Sequence, residues 1–488
     1  MLKILFAASE AHPLIKTGGL GDVAGALPLE ISKHHAEVRV VLPAYRDIIA
    51  KVGRLTLVSS QISPDHPSVR ILEGKFNNSN VILWLVDAPH LFDRDGQPYS
   101  DKNGNDWPDN AQRFATFSQI VTHIALNNAK LNWQPDIVHC NDWQTGLVPA
   151  LIRHNKPSSS QRPASVFTIH NMAYQGLFKW QQFAKTTLPK SLWTVESMEF
   201  YDNISFLKGG IVHSDLINTV SPSYAKEICT PEFGCGMEGV LQQRQDRLSG
   251  ILNGVDYSVW DPRNDMLISR QYDYSTFRFK RQNKIDLQKK MGLEVDATIP
   301  MLGIVCRMVE QKGIDLVIDL LPKLSRQKVQ FVGLGSGVSE FEESMSRIVA
   351  RNSSKFAFTI GYDEPMAHQI EAGADIFLMP SRFEPCGLNQ IYSLRYGTVP
   401  IVHNTGGLAD TVNDATKANL RDKTATGFVI DEPKLTHFER AVTRALNLFQ
   451  QPRMWKKIVK VGMEKDYSWN ISARAYLDLY NKALTFRG

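Results

Sequence analysis

The 488 residues are too many for one ordinary hydrophobic core, so two or three domains are expected. Charge is nearly balanced, 55 Lys and Arg against 50 Asp and Glu, with no basic block, which argues against a nucleic-acid partner. Five cysteines without a C-x-x-C pair argue against a zinc ribbon or disulfide framework and point to a reducing, cytoplasmic setting.

The first apolar run, residues 3–8, is too short for a secretory leader and meets Glu10, so it reads as a β-strand. No run approaches the ~18–20 apolar residues needed to span a bilayer, and no membrane partner is expected. Further buried strands are predicted at 38–42, 81–86, 137–140 and 166–169, with helical spacing over 114–126. A domain boundary is expected around Leu252-Asn253-Gly254-Val255-Asp256, ahead of the turn-rich stretch 261–265. The second half restarts with a strand at 301–306, then a helix at 315–324 and strands at 329–332, 376–379 and 399–402. The tail, 455–484, reads as an amphipathic helix that closes the second domain or crosses back to the first. Apolar strands alternating with helical stretches imply an α/β protein with doubly wound parallel sheets, covered on both faces. The expected domains are residues 1–252 and 253–465, with a final helix at 466–488. Ligands are expected at strand carboxyl ends, in a cleft between the domains.

Several strand ends carry residues suited to chemistry. Thr17-Gly18-Gly19-Leu20-Gly21-Asp22 and Thr405-Gly406-Gly407-Leu408-Ala409-Asp410 nearly repeat each other. Each lies between an apolar run and a helix start, where bare backbone and N–H groups suit an anion. Arg307 and Lys312 follow the strand 301–306, where two cations can converge on a diphosphate or form an ordinary solvated loop. After the strand 376–379, the Gly387 and Leu388 N–H groups suit phosphate. Glu384 would accept sugar hydroxyls there, or else cap the next helix. His170 and Asn171 end another strand and serve either a polar ligand or the structure. Asp142 offers an acceptor for hydroxyls, and Trp143 either faces a sugar ring or packs in the core. Asp93-Arg94-Asp95 has the D-x-D form but sits in a polar loop. No H-E-x-x-H occurs, and 333–337 misses G-x-G-x-x-G, so neither metal nor dinucleotide cofactor is expected.

Taken in order, Lys16-Thr17-Gly18-Gly19-Leu20-Gly21-Asp22-Val23, His170-Asn171, Asn253-Gly254-Val255-Asp256, Arg307 with Lys312, Glu384-Pro385-Cys386-Gly387-Leu388 and Thr405-Gly406-Gly407-Leu408-Ala409-Asp410 closely resemble the bacterial glycogen synthases and plant starch synthases. The resemblance implies a GT-B fold, two Rossmann-like domains facing across a deep cleft, with the glucan acceptor on the first and the donor on the second. It implies transfer of glucose from ADP-glucose to the non-reducing end of an α-1,4-glucan such as glycogen, with retention of configuration and without metal or cofactor. A UDP-glucose enzyme, a phosphorylase (with lysine-bound pyridoxal phosphate) or epimerase of the same two-domain architecture, and a non-catalytic glucan-binding protein are the alternatives. It further implies that Arg307 and Lys312 neutralise the departing diphosphate, while Gly18, Gly387 and Leu388 give backbone donors. Asp22, His170, Asn171 and Glu384 would surround the glucose, Tyr362 would lie by the adenine, and Lys16 would enter on closure. Gly19, Asp142, Asn253, Cys386, Thr405 and Gly406 complete the expected substrate-binding set. Many retaining GT-B enzymes carry a second Glu, on the ribose, where this chain has Tyr392; the glycogen synthases share that difference.

Overall fold

Runs of Ile, Val, Leu and Phe that can be hidden on both faces become the strands of two largely parallel sheets, one in each of two units. The computed structural model describes residues 1–77, 79–155 and 162–487. The first unit is Met1–Gly254 with Trp469–Gly488, and the second is Val255–Ser468. Among the described residues no helix is long and apolar enough to cross a membrane.

The first unit's sheet has nine strands. They are β1 (Leu2–Ala7), β2 (Ala36–Pro43), β3 (Thr56–Ser60), β4 (Arg70–Lys75), β5 (Ile82–Asp87), β6 (Ile137–Asn141), β7 (Ala164–Ile169), β8 (Leu216–Thr219) and β9 (Leu248–Gly250). Their order is β9-β8-β7-β6-β1-β2-β5-β4-β3. The sheet departs from the expected all-parallel form at β3–β4 and β4–β5, which pair antiparallel. These edge strands bury little, since β3 has no buried residue and β4 only Ile71, so no apolar run marked them. Helix α1 (Gly19–Ser32) follows β1 and packs Leu20, Val23, Ala24, Leu27 and Ile31 inward, spaced as one helical face.

In the second unit the strands are β10 (Met301–Val305), β11 (Gln330–Gly335), β12 (Phe356–Ile360), β13 (Ile376–Met379), β14 (Val399–His403) and β15 (Phe428–Ile430). All pair parallel, in the order β12-β11-β10-β13-β14-β15. Side chains alternate between two cores: Leu302, Phe331, Ile376, Leu378 and Ile401 join one, Met301, Val332, Phe377, Met379 and Val402 the other. Helix α2 (Ile314–Leu324) follows β10, α3 (Asn389–Tyr396) follows β13, and α4 (Gly406–Thr411) follows β14.

The tail is two helices rather than one. Pro452–Met463 stays with the second unit, and α5 (Trp469–Thr485) belongs to the first. Helical bonding lapses between them: the Ser468 N–H turns to Asp466 Oδ1 at 2.8 Å, and the Tyr467 carbonyl accepts from Val255 N at 2.8 Å. α5 buries Tyr476 and Tyr480 completely. The Tyr480 hydroxyl meets His139 Nδ1 at 2.8 Å, and the Tyr476 hydroxyl accepts from Asn218 Nδ2 at 3.0 Å. The other ring nitrogen of His139 pairs with Thr168 Oγ1 at 2.7 Å. Burial pulls the His139 pKa down to about 3, so the ring is neutral.

Candidate active site

In the second unit, β10 and β13 are neighbours from which the sheet winds outward in both directions, the position where open α/β sheets bind ligands beyond their carboxyl ends. The loops that leave these two strands are tied together by charge. Lys312 Nζ lies 2.5 Å from Glu384 Oε2, and Ser381 Oγ lies 3.1 Å from the same oxygen. Glu384 is buried, so these donors replace the water its carboxylate has lost. The carboxylate does not serve α3, which starts at Asn389 behind Leu388 without a side-chain cap. The helix-capping alternative for Glu384 is therefore not what the side chain does. Lys312 has three N–H donors and can bind a second anion while keeping Glu384. Arg307 is exposed one loop turn before it, and Tyr362 exposes its ring just past β12. Burial pushes the Cys306 thiol, at the end of β10, up to about 12 despite nearby Lys312 and Arg307, so it offers no thiolate near neutral pH.

The second glycine pair has a different use from the first. Gly406 has φ of 45°, and a Cβ there would lie 2.0 Å from the Glu384 carbonyl oxygen. A Cβ on Gly407 would lie 2.1 Å from the Cys386 carbonyl oxygen. Gly407 also donates its N–H to the Glu384 carbonyl at 3.2 Å. Gly406 and Gly407, which follow Thr405, thus press on the chain that carries Glu384 and the buried Cys386. Gly387, with φ of 71°, and Leu388 turn that chain into α3.

In the first unit the equivalent position is the β1–β6 boundary, with β7 beside it. Lys16 follows β1 and pairs with Asp22 of α1, Nζ to Oδ1 at 2.7 Å. Lys16, Gly18 and Gly19 are exposed, and a Cβ on either glycine would meet nothing within 4 Å. Asp142 follows β6 with φ of 55°, a conformation that strains a residue with a Cβ. Its Oδ1 accepts from His170 N at 2.7 Å. Burial lifts its carboxyl pKa to about 7, with the charge of Glu10 adding to the rise and the His170 N–H opposing it.

His170 Nε2 lies 3.0 Å from Asn141 Oδ1. The Asn141 amide nitrogen donates to the Ala7 carbonyl, which fixes Oδ1 as the acceptor toward the ring. His170 therefore carries its proton on Nε2 and presents Nδ1 as an acceptor; burial holds its pKa near 3 and keeps it neutral. Asn171 Oδ1 accepts from Ala173 N at 3.0 Å. Asn253 is buried, and its Oδ1 has no hydrogen-bond partner among the described residues. Trp143 is not a sugar platform: it lies in an aromatic cluster, with the Phe114 ring centroid at 4.9 Å and Phe178 at 5.8 Å.

Two groups escaped the sequence reading. Glu10 is buried at the end of β1 and accepts from Thr17 N, Thr17 Oγ1 and Gly18 N. The Gly18 N–H, expected to face an anion, is turned to this carboxylate at 3.3 Å. Ser381 is the other, and only its position three residues before Glu384 hints at the bond. Among the described residues no group of three or more His, Cys, Asp or Glu could hold a metal. Asp93 and Asp95 of the D-x-D string both pair with Arg46, at 2.6 Å and 2.9 Å.

Residues 3–243 match the family described as the starch synthase catalytic domain, and residues 288–461 match glycosyl transferases group 1. The glycogen synthase 2 of Nitrosococcus oceani is 51% identical over 99% of this chain and 98% of its own. Glycogen synthase 1 of Methylococcus capsulatus is 50% identical over 99% and 97%. Among solved structures, the catalytic domain of starch synthase IV from Arabidopsis thaliana, bound to ADP and acarbose, superposes with a TM-score of 0.87 at 30% identity, covering 99% of both chains.

Proposed function

The chain belongs to the glycogen and starch synthase family of GT-B glycosyltransferases, and from that premise we propose that it transfers glucose from ADP-glucose to the non-reducing end of an α-1,4-glucan with retention of configuration. The observation that carries the site assignment is the Lys312–Glu384 contact at the β10–β13 switch point, with Arg307 on the same loop. The ADP held by the Arabidopsis relative supports the choice of nucleotide. Five free cysteines favour the reducing cytoplasm as its setting.

In this reading the bond from the anomeric carbon to the diphosphate breaks as negative charge gathers on ADP. Arg307 and Lys312 oppose that charge with cations already in place, and the N–H groups of Gly387 and Leu388 add fixed dipoles. Glu384 takes hydroxyls of the glucose and supports its oxocarbenium-like carbon. The acceptor hydroxyl attacks from the same face, passing its proton to the departing phosphate oxygen. In the first unit Asp142, His170 and Asn171 take sugar hydroxyls, with His170 accepting through Nδ1, and Lys16, paired with Asp22, supplies a cation.

Nucleotide release with ADP-glucose and with UDP-glucose, each with and without glycogen, tests the proposal. Glycogen-dependent release of ADP is expected. Binding of glycogen without release from either donor would overturn it, and release from UDP-glucose alone would overturn the nucleotide assignment. Glu384→Gln tests the carboxylate: turnover should fall steeply while ADP, which lacks the glucose, binds almost as before.

A further inference from the structure

Residues 16–18 form a loop that enters α1 at Gly19, and Lys16, Thr17, Gly18 and Gly19 are all exposed. What holds it is a side chain from beneath. The carboxylate of Glu10, 3% exposed, receives the N–H and hydroxyl of Thr17, the latter at 3.0 Å, and the Gly18 N–H at 3.3 Å. The Tyr99 hydroxyl lies 3.1 Å from Glu10 Oε1 and 2.7 Å from Ser9 Oγ, fixing the carboxylate from its other side. Gly21, in the first turn of α1, completes the seat: a Cβ there would approach Lys16 Cγ to 3.0 Å and Glu10 Oε2 to 3.3 Å. Among the described residues no ion pair is made by Glu10, so a buried carboxylate is retained here for its four hydrogen-bond donors rather than for a cation. Burial raises its pKa, which is the cost of keeping an acceptor-only group at this point.

From this arrangement we infer that Glu10 is a positioning residue for glucosyl transfer: it pins the Thr17–Gly18 backbone so that Lys16 and the open glycine pair are held in working geometry. The inference rests on the reading of this loop as part of the reaction site. Glu10 acts as an acceptor, and its charge is incidental. Two of its donors are hydroxyls that can rotate to accept, so an amide at this position can turn its oxygen to the Thr17 and Gly18 N–H groups and its NH2 to the hydroxyls. A shortened carboxylate keeps the charge and withdraws the acceptor from the loop.

The test compares Glu10→Gln with Glu10→Asp, each alone and combined with Lys16→Ala, by kcat and KM for ADP-glucose well below the melting temperature of every variant. Glu10→Gln should keep most of the turnover, whereas Glu10→Asp should lose roughly 10–100-fold in kcat, as expected for a misplaced group. In the Lys16→Ala background the Glu10→Asp loss should shrink several-fold, because the part of it that acts through Lys16 is already gone. The reverse ranking, Asp active and Gln inactive, would show that charge is what matters and overturn the inference. So would losses that simply multiply in the double variant. Lys16→Ala with full activity would overturn the reading of the loop itself, and the inference with it. An impaired Lys16→Ala beside a fully active Glu10→Asp would overturn the inference alone.

Discussion

Lys312 and Glu384 neutralise each other at 2.5 Å, yet only the lysine is proposed to meet the departing diphosphate. Lys312→Ala should therefore do two things at once, removing a cation from the leaving group and stranding a buried carboxylate. Turnover is expected to fall about 10²–10³-fold, or ~3–4 kcal/mol, with a smaller loss of donor affinity. Arg307→Ala should resemble it in turnover but not in stability, because Arg307 is exposed. Steady-state kinetics with ADP titration and thermal melting on both variants check this, and near-normal turnover for both would remove the leaving-group assignment. Asp142 gives a prediction in pH. Burial raises its carboxyl pKa from 3.8 to about 7, so the folded chain binds this proton more tightly than the unfolded chain. That stabilisation is complete below about pH 4 and is lost as pH rises through 7. Asp142→Asn cannot ionise but keeps an oxygen for the His170 N–H. Its melting temperature relative to the parent should climb between about pH 4 and pH 8, while glucan transfer falls. A constant difference across that range would contradict the buried-carboxylate account.

Two nearly identical glycine strings turn out to be different devices, and this marks how far local sequence can be read. Gly18 and Gly19 have extended or helical backbone and open space around them, so nothing inside the first unit requires glycine there. Close approach by a ligand is the remaining physical reason. Gly406 and Gly407 are required by the carbonyls of Glu384 and Cys386. Gly18→Ala should thus melt like the parent and lose transfer activity, whereas Gly406→Ala should lower the melting temperature and perturb Glu384 as well. Equal stability for both variants would mean the second loop is not packed as described. The strands lining the candidate site were legible because their residues are apolar on both faces, and strand-end polar residues stood out against them. Glu10 was not legible: it lies beside the apolar run, and its partners at Thr17 and Tyr99 are brought to it only by the fold. The Trp143 alternatives were likewise decided by distant residues, Phe114 and Phe178.

Across the whole chain, family membership and the GT-B fold agree with what the strand-end motifs implied, while the tail shows the limit of periodicity. The polar run Glu464-Lys465-Asp466 marks a break that the reading of 455–484 as one helix passes over, and amphipathic spacing alone does not decide between closing the second domain and crossing back to the first. The return is recorded in hydrogen bonds between residues more than two hundred positions apart, His139 with Tyr480 and Asn218 with Tyr476. Tyr480→Phe should strand a buried ring nitrogen and cost about 1–3 kcal/mol, read as a lower melting temperature with the kinetics of the remaining folded enzyme unchanged. The same closure sets an order of events at the ribosome. The first unit's sheet leaves the exit tunnel early, but the helix that covers His139 and Asn218 is made only after the entire second unit. At ~5–20 residues per second the early sheet waits roughly ten seconds to a minute with that face uncovered. A slow codon anywhere between the first unit's last strand and α5, the second unit's sheet included, would lengthen that exposure, whereas one ahead of β1 would not.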